Sequence, residues 1–180
     1  MTDGSLRPPS ADEAIDLLVT LGAPPRLVRH HELVVEAATL LVDRLARLAP
    51  TLSFDRAAAL VGAAWHDAGK IEFPAEMDEP GTRHEASGEA LLLRAGVAPR
   101  LARFCRTHAQ WTADVDVDDL LVSLADKLWK GKREERLEAR LCDLVAKATG
   151  VTAWEAFASF DALCEDIART ADDRLARSRV

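Results

Sequence analysis

Three features of this sequence predict an all-α fold. Apolar residues recur at helical spacing (i, i+3, i+4, i+7) through most of the chain. No segment of useful length alternates apolar and polar residues as a strand would, and there is no internal repeat or low-complexity tract. Glycines and prolines (Gly22, Pro24-Pro25, Pro50, Gly69, Gly96, Pro99) punctuate the stripes at helix-length intervals. The expectation is a bundle of about seven to eight helices, with residues 1–180 forming one domain.

A Pro/Ser/Gly leader over residues 1–10 precedes a helix from Ala11 to Leu21, with Ile15, Leu17, Leu18 and Leu21 apolar and Gly22 as its stop. Pro24-Pro25 opens a long helix to about Leu48, in which His30, Val34, Ala37, Ala38, Leu41, Leu45 and Leu48 share one stripe. Pro50 ends it, and Ser53 is the expected N-cap of the next helix. That helix carries Phe54, Ala57, Ala58, Leu60, Val61, Ala64 and Trp65 up to His66-Asp67, with Gly69 expected in the left-handed closing position. Ala59, Gly62 and Ala63 on the face of His66 leave room for another helix to approach. A polar loop over residues 72–82 leads to a helix from Arg83 to Ala95, and Pro99 starts another that ends near His108. After an acidic linker (Trp111–Val117), Asp118–Gly131 forms a strongly apolar helix with Asp126 set inside it. Two helices finish the chain, Glu134–Ala148 and Ala153–Arg177, the second opening with a Thr152/Glu155 capping box.

Composition bounds the function. With 48% hydrophobic and 29% charged residues the chain is an ordinary soluble globular protein. A net charge of −7 argues against coating a nucleic-acid polymer, but leaves room for a small phosphorylated substrate. No apolar run approaches the ~18 residues of a membrane span, and residues 1–14 lack a signal-peptide core. The three cysteines follow no CxxC pattern and read as reduced, buried residues of a cytoplasmic protein. The C-terminal helix, with Trp154, Phe157, Phe160, Leu163 and Ile167, either caps the core or pairs with a second copy in a homodimer.

The five histidines carry the functional signal: His30, His31, His66, His84 and His108. Each falls at a helix end or on an apolar stripe. Imidazoles and carboxylates converging from several helices are how bundles build dinuclear metal sites. At a helix end the backbone can turn and aim both His66 and Asp67 at one point. Asp126, inside Leu-Ala-Asp-Lys-Leu-Trp, is costly to bury unless it is paired or metal-bound. Between the two adjacent histidines His30 has the better stripe, since its i+8 neighbour is Ala38 where that of His31 is Thr39. His31 is then a surface residue or one that supports the site from behind. Plain alternatives exist for several of these. His84 could cap its helix, Lys70 could complement a helix dipole, and Lys130, Lys132 and Arg133 could be a solvated face.

The series His30 … His66-Asp67 … His84 … His108 … Asp126 resembles the HD-domain superfamily of metal-dependent phosphohydrolases. More closely, His66-Asp67-x-Gly69-Lys70, His84-x-x-x-Gly88 and Ala125-Asp126-Lys127 are similar in order to the HD-GYP branch. The likeness spans roughly Arg26 to Arg133, leaving the helices over 134–177 as an extension. It departs from that branch where Thr107-His108 replaces a His-His pair and where the Gly-Tyr-Pro motif is absent. The resemblance implies an HD-domain-like helical bundle holding two divalent ions, drawn from Fe, Mn, Ni, Co and Zn. His30, His66, Asp67 and Asp126 would hold the first, and Asp67 would bridge to a second held by His84 and His108. It implies an enzyme in which metal-activated hydroxide cleaves a phosphoester of a nucleotide or small metabolite. Asp67 and Lys70 would act in catalysis, with Lys70, Lys130 and Arg133 binding the substrate anion. Two other classes share the ligand set: a di-iron oxygenase acting on a small polar substrate, and a non-catalytic metal- or nucleotide-binding regulatory module. The chain has no tyrosine, which counts against oxygenases that gate their iron with one.

Overall fold

The computed structural model describes residues 8–111 and 115–179, and among these the chain is all-helical. Residues 1–7 of the leader and 112–114 of the acidic linker lie outside the described residues. Eight α-helices have seven residues or more, and two further helices are single turns. They are α1 (Ala11–Thr20), α2 (Pro25–Leu48), α3 (Arg56–Trp65), α4 (Arg83–Arg94), α5 (Pro99–Ala102), α6 (Phe104–Thr107), α7 (Val117–Leu128), α8 (Glu135–Thr149), α9 (Ala153–Ala168) and α10 (Ala171–Arg177). Two 3₁₀ turns, Ala68–Ile71 and Pro74–Met77, fill the connection between α3 and α4. Among the described residues no helix is long and apolar enough to cross a membrane.

Helices α2, α3 and α7 pack on one another as the central layer. The apolar faces of α8 and α9 close one side of it in a core built around Leu41, Leu45, Leu124, Leu128, Leu141 and Ile167. On the other side α1, α4, α5 and α6 form a second core around Leu18, Trp65, Leu92 and Phe104. The Trp65 indole donates to the Ala14 carbonyl at 2.8 Å and so pins α1 to the end of α3. A methyl group added at Gly62 would lie 2.7 Å from both Phe104 and Val122, so the bare backbone there sets how closely α3 meets α6 and α7.

Several local expectations need correcting. The N-cap of α3 is Asp55, not Ser53, because its carboxylate accepts from the Ala58 amide at 3.0 Å. The helix expected from Pro99 breaks at Arg103 into α5 and α6. The final helix is also two, since side chains of Thr170 and Arg174 donate to the Ile167 carbonyl and take over the end of α9. The Thr152/Glu155 capping box is present as expected, and a left-handed Gly150 (φ 73°) closes α8 before it.

Candidate metal centre

His66 continues the helical backbone of α3 (φ −50°, ψ −33°), whereas Asp67 leaves it (φ −105°, ψ 16°). This bend brings two adjacent side chains into one space, which a straight helix would point about 100° apart. Gly69 makes the next step possible, but not as a left-handed closure, because its φ is not positive. A methyl group there would lie 1.9 Å from the His84 carbonyl oxygen and 2.6 Å from the Gly88 amide nitrogen. Glycine is required for close approach: it lets the Ala68–Ile71 turn lie against α4 and brings Asp67 to His84.

The carboxylate of Asp67 divides the histidines into two groups. Oδ2 faces His30 Nε2 at 3.2 Å and His66 Nε2 at 3.5 Å. Oδ1 faces His84 Nε2 at 3.1 Å and His108 Nε2 at 3.6 Å. Asp126, from the last full turn of α7, reaches His66 Nε2 at 3.6 Å. All six sequence-predicted ligands therefore meet in one place. Five are essentially buried, and His30 retains 16% side-chain exposure at the edge. His31 is fully buried behind them, not on the surface, with Nδ1 3.2 Å from the Ala63 carbonyl oxygen.

Hydrogen bonds on the far side of each ring set its direction. His66 Nδ1 donates to the Ala63 carbonyl at 3.0 Å and His108 Nδ1 to the Cys105 carbonyl at 2.9 Å. A carbonyl can only accept, so in the neutral rings Nε2 is the bare nitrogen, turned toward carboxylate oxygens. His84 Nδ1 lies 2.6 Å from Glu76 Oε2, whose carboxylate also accepts from the backbone amides of Arg83 and His84. His84 Nε2 is close to Asp67 but not aligned with it, so it is a buried nitrogen without a hydrogen-bond partner.

The electrostatics match this crowding. Burial favours a neutral Asp67, yet the surrounding histidines outweigh it and hold its carboxyl well below the usual range. Burial opposes ionisation of Asp126 too, and His66, Lys130 and Lys127 overcome it. Burial pushes His108 down to about 4 and lowers His30 as well, keeping both rings neutral near pH 7. His84 moves the other way: burial is outweighed by Asp67 and Glu76, which raise its pKa.

A cleft of about 440 Å³ opens over this cluster. Lys70 stands in it with Nζ 2.6 Å from Asp67 Oδ2, and Lys127 and Lys130 approach Asp126 at 2.7 and 3.5 Å. Arg133, expected at the same mouth, is elsewhere. It pairs with Glu138, Asp161 and Glu165, tying α8 to α9 beside a separate groove. Gly131, left-handed at φ 74°, turns the chain between Lys130 and Arg133 and sends the two cations to different faces. Sequence reading assigned no site role to five contributors: Glu76, Arg26, Lys127, Trp129 and Ser178. Arg26 had a signal, one helical turn before His30. Glu76 in a Pro/Gly loop and Ser178 near the chain end had none.

The residues fit a metal. The acceptor Nε2 atoms of His66 and His108 face ionised oxygens of Asp67 and Asp126 at 3.5–3.6 Å, an arrangement that repels itself unless a cation or proton lies between. The mixed imidazole and carboxylate donors suit first-row divalent ions, and two groups, His30/His31/His66 and Asp67/His84/His108, have ligand atoms within 4.8 Å of one another. The sequence model of the family described as HD domain matches residues 27–130, more than half of the chain. This chain belongs to the HD-domain family. No curated protein and no solved structure matches it. The HD-domain match contains all six converging residues and ends at Lys130, so α8, α9 and α10 lie outside it.

Proposed function

We propose that this HD-domain protein is a metal-dependent phosphohydrolase that cleaves a phosphoester of a nucleotide or another small phosphorylated metabolite. The observation that carries the reading is the cationic lining of the cleft: Lys70, Lys127 and Lys130 stand around a buried His/Asp cluster, with Arg26, paired to Asp78 at 2.6 Å, beside them. Such a lining selects anions, and the cleft volume fits a molecule of mononucleotide size or smaller. His30, His66, Asp67 and Asp126 would hold one divalent ion and Asp67, His84 and His108 a second. Bound divalent ions supply Lewis acidity and acidify water toward neutrality, so no separate side-chain base is required.

The protein's own groups do the rest. Neutral His30 and His108 offer nitrogen lone pairs without first losing a proton. Glu76 and the Ala63 and Cys105 carbonyls fix the ring directions. Lys70 and Lys130 present ammonium groups to the oxygens of the bound phosphate and balance charge as it builds there. Three free, buried thiols are consistent with work in a reducing cytoplasm.

The test is turnover of a phosphoester and nucleotide panel by anaerobically purified protein reloaded with Mn²⁺, Fe²⁺, Co²⁺ or Ni²⁺, with Asp67→Ala as control. Metal-dependent phosphate release absent from the control supports the reading. Silence across the panel, from protein that binds two irons and consumes O₂ with a candidate substrate, would replace it with an oxygenase.

A further inference from the structure

The last helix reaches back to the two helices that carry His30 and Asp126. Arg174, on α10, is only 1% exposed. Its guanidinium Nε donates to the Trp129 carbonyl at 2.8 Å and its Nη2 to the Leu128 carbonyl at 3.1 Å and to that of Ile167. Nη1 donates to Thr170 Oγ1 at 2.8 Å, while Glu36 stays 4.0 Å away. One turn on, Arg177 forms a two-pronged pair with Glu36 at 2.9 Å, and its carbonyl accepts from Arg29 Nε at 2.9 Å. Arg29 and Glu36 belong to α2 and flank His30 in sequence.

Exposed helix carbonyls can be satisfied by water, at none of the desolvation cost that a buried guanidinium carries. Water does not, however, fix where a helix end lies. The carbonyls held by Arg174 are those of Leu128 and Trp129, between Asp126-Lys127 and Lys130. The Trp129 ring stands edge-on to His30 with centroids 5.1 Å apart, so the same turn also forms the wall behind that imidazole. Ser178, just past the end of α10, lines the cleft itself. Arg174 and Arg177 lie outside the span of the HD-domain match, whereas the groups they hold on α2 and α7 lie inside it.

We infer that Arg174 is a positioning residue for the metal centre: by holding the Leu128 and Trp129 carbonyls it sets the end of α7, and thereby Asp126, Lys130 and Trp129, against His30. The inference rests on the proposed metal centre but not on phosphoester chemistry. Arg174→Lys keeps the charge but cannot span the carbonyls at the ends of α7 and α9 with one rigid fork.

The experiment uses the full chain, stripped of metal and titrated with Co²⁺, reading affinity by calorimetry and ligand geometry by the visible absorption of bound Co²⁺. Hydrogen exchange of the metal-free protein is measured in parallel. Arg174→Lys is expected to bind Co²⁺ about 10- to 100-fold more weakly, with an altered visible spectrum. Faster exchange should be confined to the end of α7 and to α10. A folded Arg174→Lys protein with wild-type Co²⁺ affinity and spectrum would overturn the inference. So would weaker binding accompanied by equal loss of protection in every helix, which marks general destabilisation. Should Arg174→Lys not fold, Arg177→Ala decides, because it loosens α10 from α2 at the surface. A severalfold loss of Co²⁺ affinity with a shifted spectrum supports the brace, and unchanged binding refutes it. A wild-type chain that takes up no Co²⁺ overturns the metal centre and this role with it, whereas Co²⁺ uptake without any turnover overturns only the hydrolase reading.

Discussion

Glu76 holds His84 by both its backbone and its ring: one carboxylate oxygen lies 3.1 Å from the His84 amide nitrogen and 2.6 Å from Nδ1. The contact turns Nε2 to the side of Asp67 and also favours the protonated ring, since Glu76 and Asp67 together outweigh burial and raise the His84 pKa. That proton must leave before Nε2 can bind a metal ion. Metal affinity should therefore rise with pH through the raised His84 pKa. Glu76→Gln removes the charge that raises it. The midpoint of a Co²⁺ affinity–pH profile should move to lower pH, while the affinity reached at high pH drops about 10-fold as the ring loses its orientation. A midpoint that stays in place would dissociate Glu76 from the site.

Acid should destabilise the metal-free fold. Burial depresses the folded-state pKa values of His30, His31 and His108, the last to about 4. Unfolding lets these rings take up protons at any pH below their ordinary 6.5, so the stability from keeping them neutral is lost as pH falls from there. His84 has the opposite sign: its contribution is full below the ordinary pKa and fades as pH rises through the raised one. Three groups against one predict a urea midpoint that falls between pH 7 and pH 5. The slope for each depressed histidine is at most about 1.4 kcal/mol per pH unit. His31→Leu removes one of them and should flatten the profile.

Gly69→Ala should disrupt the centre without touching any ligand. The new methyl group would meet the His84 carbonyl and the Gly88 amide, both backbone and unable to rotate away. Thermal unfolding should report a loss of about 3 kcal/mol or more, from overpacking that the turn and α4 can relieve only by separating. Co²⁺ stoichiometry should fall toward one, because Asp67 and His84 part. Two equivalents retained at wild-type affinity would mean the close approach is not needed to join the two ligand groups.

Lys130 and Arg133 lie three positions apart and should behave differently on substitution. Lys130→Met removes a cleft cation and should raise KM for a phosphoester about 10-fold with little change in stability. Arg133→Ala breaks contacts to three carboxylates between α8 and α9 and should cost about 1–3 kcal/mol of stability at unchanged KM. Denaturation curves and steady-state kinetics on the two variants decide between these roles.

The helices and the candidate ligand set were legible in the sequence for separate reasons. Stripes such as Val34, Ala38, Leu41 and Leu45 show in one dimension because helix burial is periodic. The histidines showed because they are few and placed where core or cap residues are expected. Roles created only by tertiary packing were not legible. Gly69 is visible as a glycine, but whether it serves a left-handed turn or a close approach depends on α4 lying against it. Glu76 and Arg174 look like ordinary loop and surface-helix charges until the fold brings His84 to one and the end of α7 to the other. The sequence favours His30 over His31 as first ligand, and the His30 ring is the one that lines the cleft. The stripe used to choose it does not match the burial, since His31 is the more deeply buried of the pair.

The six converging residues are drawn from three helices, two helix ends and a 3₁₀ boundary between positions 30 and 126, so no short stretch of the unfolded chain offers the same ligands. An ion held there binds the native state alone and by mass action pulls the folding equilibrium toward it, by about 1.4 kcal/mol for each tenfold rise in free metal above the dissociation constant. The population of folded chains then follows metal supply. On the proposed metal centre, a cell short of the right ion would hold fewer folded copies of this protein.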